Sequence, residues 1–284
     1  MSNLKLIECP RDAMQGIKNF IDTEVKIEYL NALLKVGFHT LDFGSFVSPK
    51  AIPQMADTRE VLARLDIEHS STKLLAIIAN LRGAEDAVAF PEISYLGFPF
   101  SLSETFQQRN TNNSRENALE LVAEMQDLCS RNRKELVVYL SMGFGNPYGD
   151  PWSPELALDY ARQIQQMGVG IISLADTVGG AETESIREVF QLIQHELPDT
   201  EIGAHFHATP YNWEAKIAAA YESGCKRFDG ALKGFGGCPF AKEELTGNVA
   251  TENIVRYLEG KGEMLGLDLN AMQVGLEMSG KVMG

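Results

Sequence analysis

Cysteine is scarce in this chain. There are four, Cys9, Cys129, Cys225 and Cys238, and no two stand in a CxxC spacing. That is too few and too scattered for a disulfide framework, and it suits a reducing compartment. Long apolar runs are missing as well: LLAIIA at 74–79 falls far short of the ~20 residues a membrane helix requires. The opening MSNLKLIECPRD lacks the apolar core of a signal peptide. Basic residues are outnumbered, with 25 Lys and Arg against 39 Asp and Glu, for a net charge of -14. Nucleic acid and anionic lipid are both recognised through clustered cations, so neither is an expected partner. There is no Pro- or Ser-rich linker and no low-complexity segment. The expectation is a soluble, cytoplasmic protein whose residues 1–284 form one domain.

What the chain does have is a rhythm. Eight apolar runs are bounded by turn signals: LKLIE (4–8), HTLDFG (39–44), KLLAIIA (73–79), ISYLGFPF (93–100), ELVVYLSMGFG (135–145), GIISLADT (170–177), EIGAHFHA (201–208) and RFDGAL (227–232). Each is short enough for a buried parallel strand. Helical stripes lie between most of them. Ile27, Leu30, Leu33 and Leu34 form one, and Trp213, Ile217 and Ala220 form another that stops at Gly224. The third crossover, GAEDAVAF, is short. Eight strand–helix units joined by right-handed crossovers predict an α/β fold, the (β/α)8 TIM barrel.

Active sites in that fold sit where the strands end. Polar residues fall there: Arg11 and Asp12 after strand one, Asp42 closing strand two, Asn80 after strand three, Asp176 ending strand six, and Cys238 in the loop after strand eight. GAHFHATP at 203–210 places His205 and His207 on one face of strand seven, with Phe206 on the other. Asn248 opens the expected last helix and looks back toward the same mouth. Two imidazoles with the oxygens of Asp12 and Asn248 make a shell suited to Mg²⁺ or Mn²⁺, with Zn²⁺ as a further candidate; no thiolate is present to close a structural zinc site. Blander roles stand beside these. Asp176 can cap a turn, Asn248 can cap a helix, Arg11 can make a surface ion pair, and Cys9 and Cys225 read as small buried hydrophobes.

The stretches IECPRDAMQGIKN, SFVSPKAIPQM, SLADTVG, HFH and FGGCPFAKEELTGNVATE span nearly the whole chain and strongly resemble the hydroxymethylglutaryl-CoA lyase family, metal-dependent enzymes built on a TIM barrel. The resemblance implies that Asp12, His205, His207 and Asn248 hold a divalent metal and that Arg11 contacts the acyl carbonyl. It matches Cys238 to a catalytic cysteine. The implied reaction cleaves an acyl-CoA, a 3-hydroxy-3-methylglutaryl thioester, into acetyl-CoA and acetoacetate. A homo-oligomer, a dimer, is the expected assembly.

That chemistry suits the residue types. Breaking the C2–C3 bond needs loss of the 3-hydroxyl proton and leaves an enolate at C2, so a metal, an arginine and an acid each have a task. Cys238 is the expected acid, carried on a mobile loop at 233–247 behind Gly236 and Gly237. His205 or Asp176 is the expected base, Asp42 is expected to assist, and Asn80 and Asn146 are placed near substrate. Five residues depart from the family pattern: Ala13, Gly16, Asp42, Asn146 and Ala208. With the metal set intact, these departures point to an altered acyl group. Two alternatives stand: a synthase joining acetyl-CoA to a 2-oxo acid, and a catalytically silent relative that binds a metabolite or partner.

Overall fold

The structure is a computed structural model that describes residues 3–237 and 246–283. Its strands are β1 (Lys5–Glu8), β2 (Thr40–Ser45), β3 (Lys73–Ile77), β4 (Ile93–Ser101), β5 (Glu135–Ser141), β6 (Ile171–Asp176), β7 (Glu201–Phe206) and β8 (Arg227–Gly230). They follow one another around a closed parallel barrel, with β8 pairing back onto β1. This is the expected TIM barrel. Strands such as β2 and β6 are buried at every residue, because helices cover one face and the barrel interior the other.

The expected stripes become the inward faces of helices. Ile27, Leu30, Leu33 and Leu34 are buried on Thr23–Leu34, which starts where the Asp22 carboxylate accepts from Glu24 N at 2.9 Å. Trp213–Glu222 ends before Gly224, whose φ of +95° reverses the chain into β8. Removing a core side chain such as Leu30 or Leu33 would cost about 2–5 kcal/mol.

Two helices lie outside the stripes that the sequence displays. Glu104–Thr111 (ETFQQRNT) has almost no apolar face to announce it, and it is set by Ser103, whose Oγ caps Phe106 N at 3.1 Å. Leu269–Met283 follows Thr251–Gly260, so the latter is not the final helix.

The main core lies between sheet and helices, and a smaller group, Leu75, Tyr95, Val137, Tyr139 and Ile171, fills the barrel interior. Charge closes the N-terminal end: Glu201 bonds Lys5 and lies 3.3 Å from Arg227 Nη1, while Lys73 Nζ reaches Tyr95 Oη at 3.2 Å. The opposite end holds a cavity. No helix among the described residues is long and apolar enough to cross a membrane.

Candidate active site at the barrel mouth

A cavity of about 160 Å³ opens at the C-terminal ends of the strands. Its polar floor includes Arg11, Asp12, His205 and His207, and its wall includes Val47, Ile52, Ile77, Ala79 and Phe106. Apolar walls around a few convergent polar groups are the usual form of a small-molecule site.

Arg11 and Asp12 come from Pro10–Gln15, a short helix started by Pro10 directly after β1. Asp42 reaches them from within β2 rather than from its end, since that strand continues through Gly44 and Ser45. Its carboxylate clamps the Arg11 guanidinium, with Oδ2 accepting from Nη2 at 2.6 Å and from Nε at 3.0 Å. Burial pushes the Asp42 carboxyl up, against the pull of Arg11, to about 6. Two planar groups paired in this way fix the arginine's direction. Asp12 has the opposite balance: burial raises its carboxyl, but Arg11, both histidines and the Asn248 amide outweigh it and bring it to about 2. Asp12 is therefore an anion at neutral pH.

Each histidine is held by its Nδ1. In His205 this atom lies 3.1 Å from Asp229 Oδ2, and in His207 it lies 2.9 Å from the Thr246 carbonyl oxygen. Carboxylate and carbonyl only accept, so both Nδ1 atoms carry hydrogen and each Nε2 remains to be used. Burial lowers the basicity of His205, but the bond to Asp229 and the charges of Asp229 and Asp12 raise it overall. His207 moves the other way, through burial and the neighbouring His205. The ring centroids are 5.4 Å apart.

Asp12, His205 and His207 each offer a ligand atom, all within 4.8 Å of one another and all buried. Asn248 lies beside them. Its Nδ2 donates to Asp12 Oδ2 at 2.7 Å and to the Phe235 carbonyl at 2.9 Å, leaving the amide oxygen as the atom that can face a cation. Helix capping is not its role, because Thr251–Gly260 begins after Ala250 with no side-chain cap. Gly236, at φ +97°, packs against this group: a Cβ there would lie 2.8 Å from both Asn248 Nδ2 and the Asp12 carbonyl oxygen. The donors present fit a hard divalent ion, with one carboxylate, two neutral imidazoles and an amide oxygen. Cys9, His205 and Asp229 form a second close group, deeper in the barrel, where burial and four surrounding carboxylates push the Cys9 thiol pKa well up.

Three expected site residues are turned elsewhere. The Asp176 carboxylate accepts from Lys216 Nζ at 2.6 Å and from the backbone of Gly180 and Ala181 at 3.0 and 3.1 Å, so it caps the loop after β6 and does not line the cavity. Asn80 caps Leu81–Val88 through Gly83 N at 2.9 Å. Asn146 ties its own loop, donating to the Asp150 carbonyl and accepting from Tyr148 N and Asp150 N. Asp42 and Ala208 are also outside the cavity lining. Cys238 and most of the expected mobile loop lie outside the described residues. Cys9 and Cys225 are buried, as their blander reading held. The sequence does not single out Lys216, and its one signal for Asp229 is a carboxylate inside the apolar run RFDGAL; the pairing with His205 is set by the fold.

A family profile described as HMGL-like matches residues 4–277. This chain belongs to the HMGL-like family. A relative from Pseudomonas aeruginosa, named 3-hydroxy-3-isohexenylglutaryl-CoA/hydroxy-methylglutaryl-CoA lyase, is 34% identical over 272 residues, covering 95% of this chain and 89% of its own. The HMG-CoA lyase of Bacillus subtilis superposes with a TM-score of 0.92 at 30% identity, covering 99% of this chain and 94% of that one. An HMG-CoA lyase from Acinetobacter baumannii, solved with coenzyme A and 3-methylmalate, gives a TM-score of 0.87 at 31% identity, covering 97% of this chain and 88% of that one.

Proposed function

We propose that this chain is a divalent-metal-dependent carbon–carbon lyase that cleaves hydroxymethylglutaryl-CoA, or a close 3-hydroxyacyl-CoA, into acetyl-CoA and acetoacetate or the matching oxo product. The observation that carries the reading is the single polar floor on which a clamped Arg11 meets Asp12, His205 and His207. The lyases it resembles supply the substrate class. We keep the cytoplasm and a dimer as part of the proposal.

The residues divide the reaction among them. Arg11 faces the thioester oxygen, where charge develops as the C2–C3 pair moves into the enolate, and Asp42 keeps the guanidinium aimed. His205 receives the 3-hydroxyl proton at Nε2 while Asp229 stabilises the resulting imidazolium. Cys238 returns a proton to C2. Asp12, His207 and the Asn248 amide oxygen would hold the ion in the substrate complex, where the one free lone pair of His205, at Nε2, serves as the base; His205 would be a fourth ligand only in the substrate-free protein. A divalent cation there, Mg²⁺ or Mn²⁺ before Zn²⁺, supplies positive charge to the oxygen end of the substrate. Asp176 has no part in this scheme, since Lys216 and two backbone N–H groups occupy its carboxylate.

The test is release of acetyl-CoA from a panel of 3-hydroxyacyl-CoA thioesters, compared by kcat/KM. Turnover stops in excess chelator and returns with Mg²⁺ or Mn²⁺; full activity in chelator sinks the metal reading. The panel also tests acyl preference. Neither Asp42, Asn146 nor Ala208 lines the cavity, so any preference for a larger 3-substituent rests on the wall of Val47, Ile52, Ile77 and Ala79. Ala79→Leu then lowers kcat/KM for the larger substituents most. Condensation of acetyl-CoA with a 2-oxo acid in place of cleavage would favour a synthase, and binding without turnover a silent relative.

A further inference from the structure

Lys216 is a buried lysine on the outer helix Trp213–Glu222, and it takes no part in the cavity lining. Its ammonium has three hydrogens to donate, and three oxygens meet it: Asp176 Oδ2 at 2.6 Å, the Gly179 carbonyl at 2.9 Å and the His207 carbonyl at 3.1 Å. These oxygens come from the end of β6, the turn that follows it, and the residue just beyond β7. Every donor is used, so nothing is left for a substrate. One cation thus fixes the relative position of two strand ends.

The part of this arrangement that bears on chemistry is His207. Its ring rotation is set by Nδ1 on the Thr246 carbonyl, and its backbone N donates to the Asp176 carbonyl at 3.3 Å. The Lys216 bond holds the carbonyl oxygen of the residue, and together with the Ala208 N–H, which donates to the Gly247 carbonyl at 2.9 Å from the same peptide plane, it fixes the plane from which the side chain leaves. Gly179 closes the same corner from above. A Cβ at Gly179 would lie 2.7 Å from Thr246 Cγ2 and 3.3 Å from the His207 carbonyl oxygen.

We infer that Lys216 is a positioning residue for His207, holding its imidazole at the spacing the ion requires; this rests on the metal reading of Asp12, His205 and His207. Groups that hold a ligand in place commonly alter metal affinity by ~10 to 100-fold, in part by setting the ligand's direction. A lysine that only neutralised Asp176 would alter stability without that effect.

Mn²⁺ affinity of the metal-free full-length chain, followed by electron paramagnetic resonance of the free ion, separates the two roles. Three variants are needed: Lys216→Met, the double variant Asp176→Asn/Lys216→Met, and Lys216→Arg. Lys216→Met is expected to lower Tm, since it leaves the Asp176 carboxylate buried without its cation, and to weaken Mn²⁺ binding by ~10 to 100-fold. The double variant removes the stranded charge and regains Tm. Its Mn²⁺ affinity stays at least ~10-fold weak, because the His207 carbonyl has still lost its Lys216 bond and the peptide rests on the Ala208 N–H bond to Gly247 alone. Lys216→Arg keeps the charge and the fold but presents its donors in a plane rather than from one atom, so it too weakens Mn²⁺ binding. Folded variants that bind Mn²⁺ within about twofold of the unmodified chain overturn the inference while leaving the metal reading intact. An unmodified chain that binds no Mn²⁺ overturns both.

Discussion

His205 and Asp229 face each other across neighbouring strands, paired in register on β7 and β8, with Nδ1 and Oδ2 3.1 Å apart. The pair is buried, so the tautomer of His205 is decided by one carboxylate. Asp229→Asn preserves shape but removes the charge and offers an amide that can donate in place of accepting. We expect kcat/KM to fall by ~10 to 100-fold, with Mn²⁺ affinity falling alongside and far-UV circular dichroism unchanged. A variant with normal kcat/KM and normal Mn²⁺ affinity would remove Asp229 from the site.

Arg11 is aimed by Asp42, and the two are expected to fail unequally. Arg11→Met deletes the group proposed to meet the developing enolate, so kcat should drop by ~10² to 10³-fold with a smaller change in KM. Asp42→Asn keeps one acceptor on the guanidinium and should cost less. If steady-state kinetics show Asp42→Asn to be the more damaging change, the carboxylate itself acts on substrate, and the assignment of Arg11 is wrong.

Glu8 gives a stability prediction with a definite sign. It is fully buried at the end of β1, accepting from Leu232 N at 2.9 Å and Thr251 Oγ1 at 2.5 Å, and burial pushes its carboxyl up to about 8 despite both bonds. The folded state therefore holds a proton that the unfolded chain gives up near its ordinary value of 4.5. Unfolding free energy attributable to Glu8 is full below that value and falls as pH rises toward about 8, by up to about 1.4 kcal/mol per pH unit. Glu8→Gln should flatten this slope in chemical denaturation curves between pH 5 and pH 8. An unchanged slope would show that Glu8 ionises normally in the fold.

Cys238→Ser should leave thioester binding nearly intact and lower kcat by ~10²-fold or more, the loss expected on disabling a general acid. Isothermal titration with a non-cleavable thioester, set beside single-turnover kinetics, distinguishes the two effects. An undiminished kcat would return Cys238 to an ordinary loop position.

The barrel was legible because each strand is a short apolar run bounded by turn residues, and β1 through β8 fall within the expected stretches to a residue or a few. The errors have physical sources. Asp42 stands in the sequence as the polar residue that closes an apolar run, but its strand continues through the hydrogen-bonded Gly44 and Ser45. ETFQQRNT carries no stripe, so its helix left no periodic trace. Within the site, Arg11, Asp12 and both histidines announced themselves by residue type and place. Asp176 did too, but its partner is Lys216, forty residues on and inside what read as an apolar helix face. Sequence displays a donor; its acceptor is chosen by the fold.

Gly236 packs without a side chain against Asp12 and Asn248, and this contact limits how the protein can be rebuilt. The stretch leading to Cys238 is seated on two of the proposed ion ligands, so it cannot be exchanged as an independent cassette. A transplanted loop with any other residue at that position must displace the Asp12 backbone by a few tenths of an ångström or more, and a designer seeking a new acyl specificity there would have to redesign the Pro10–Gln15 helix with it. On the opposite wall, Val47 and Ile52 pack with Met14 of that same helix, so the positions contributed by the end of β3, Ile77 and Ala79, are where substrate range is to be altered with least disturbance of the proposed ligands.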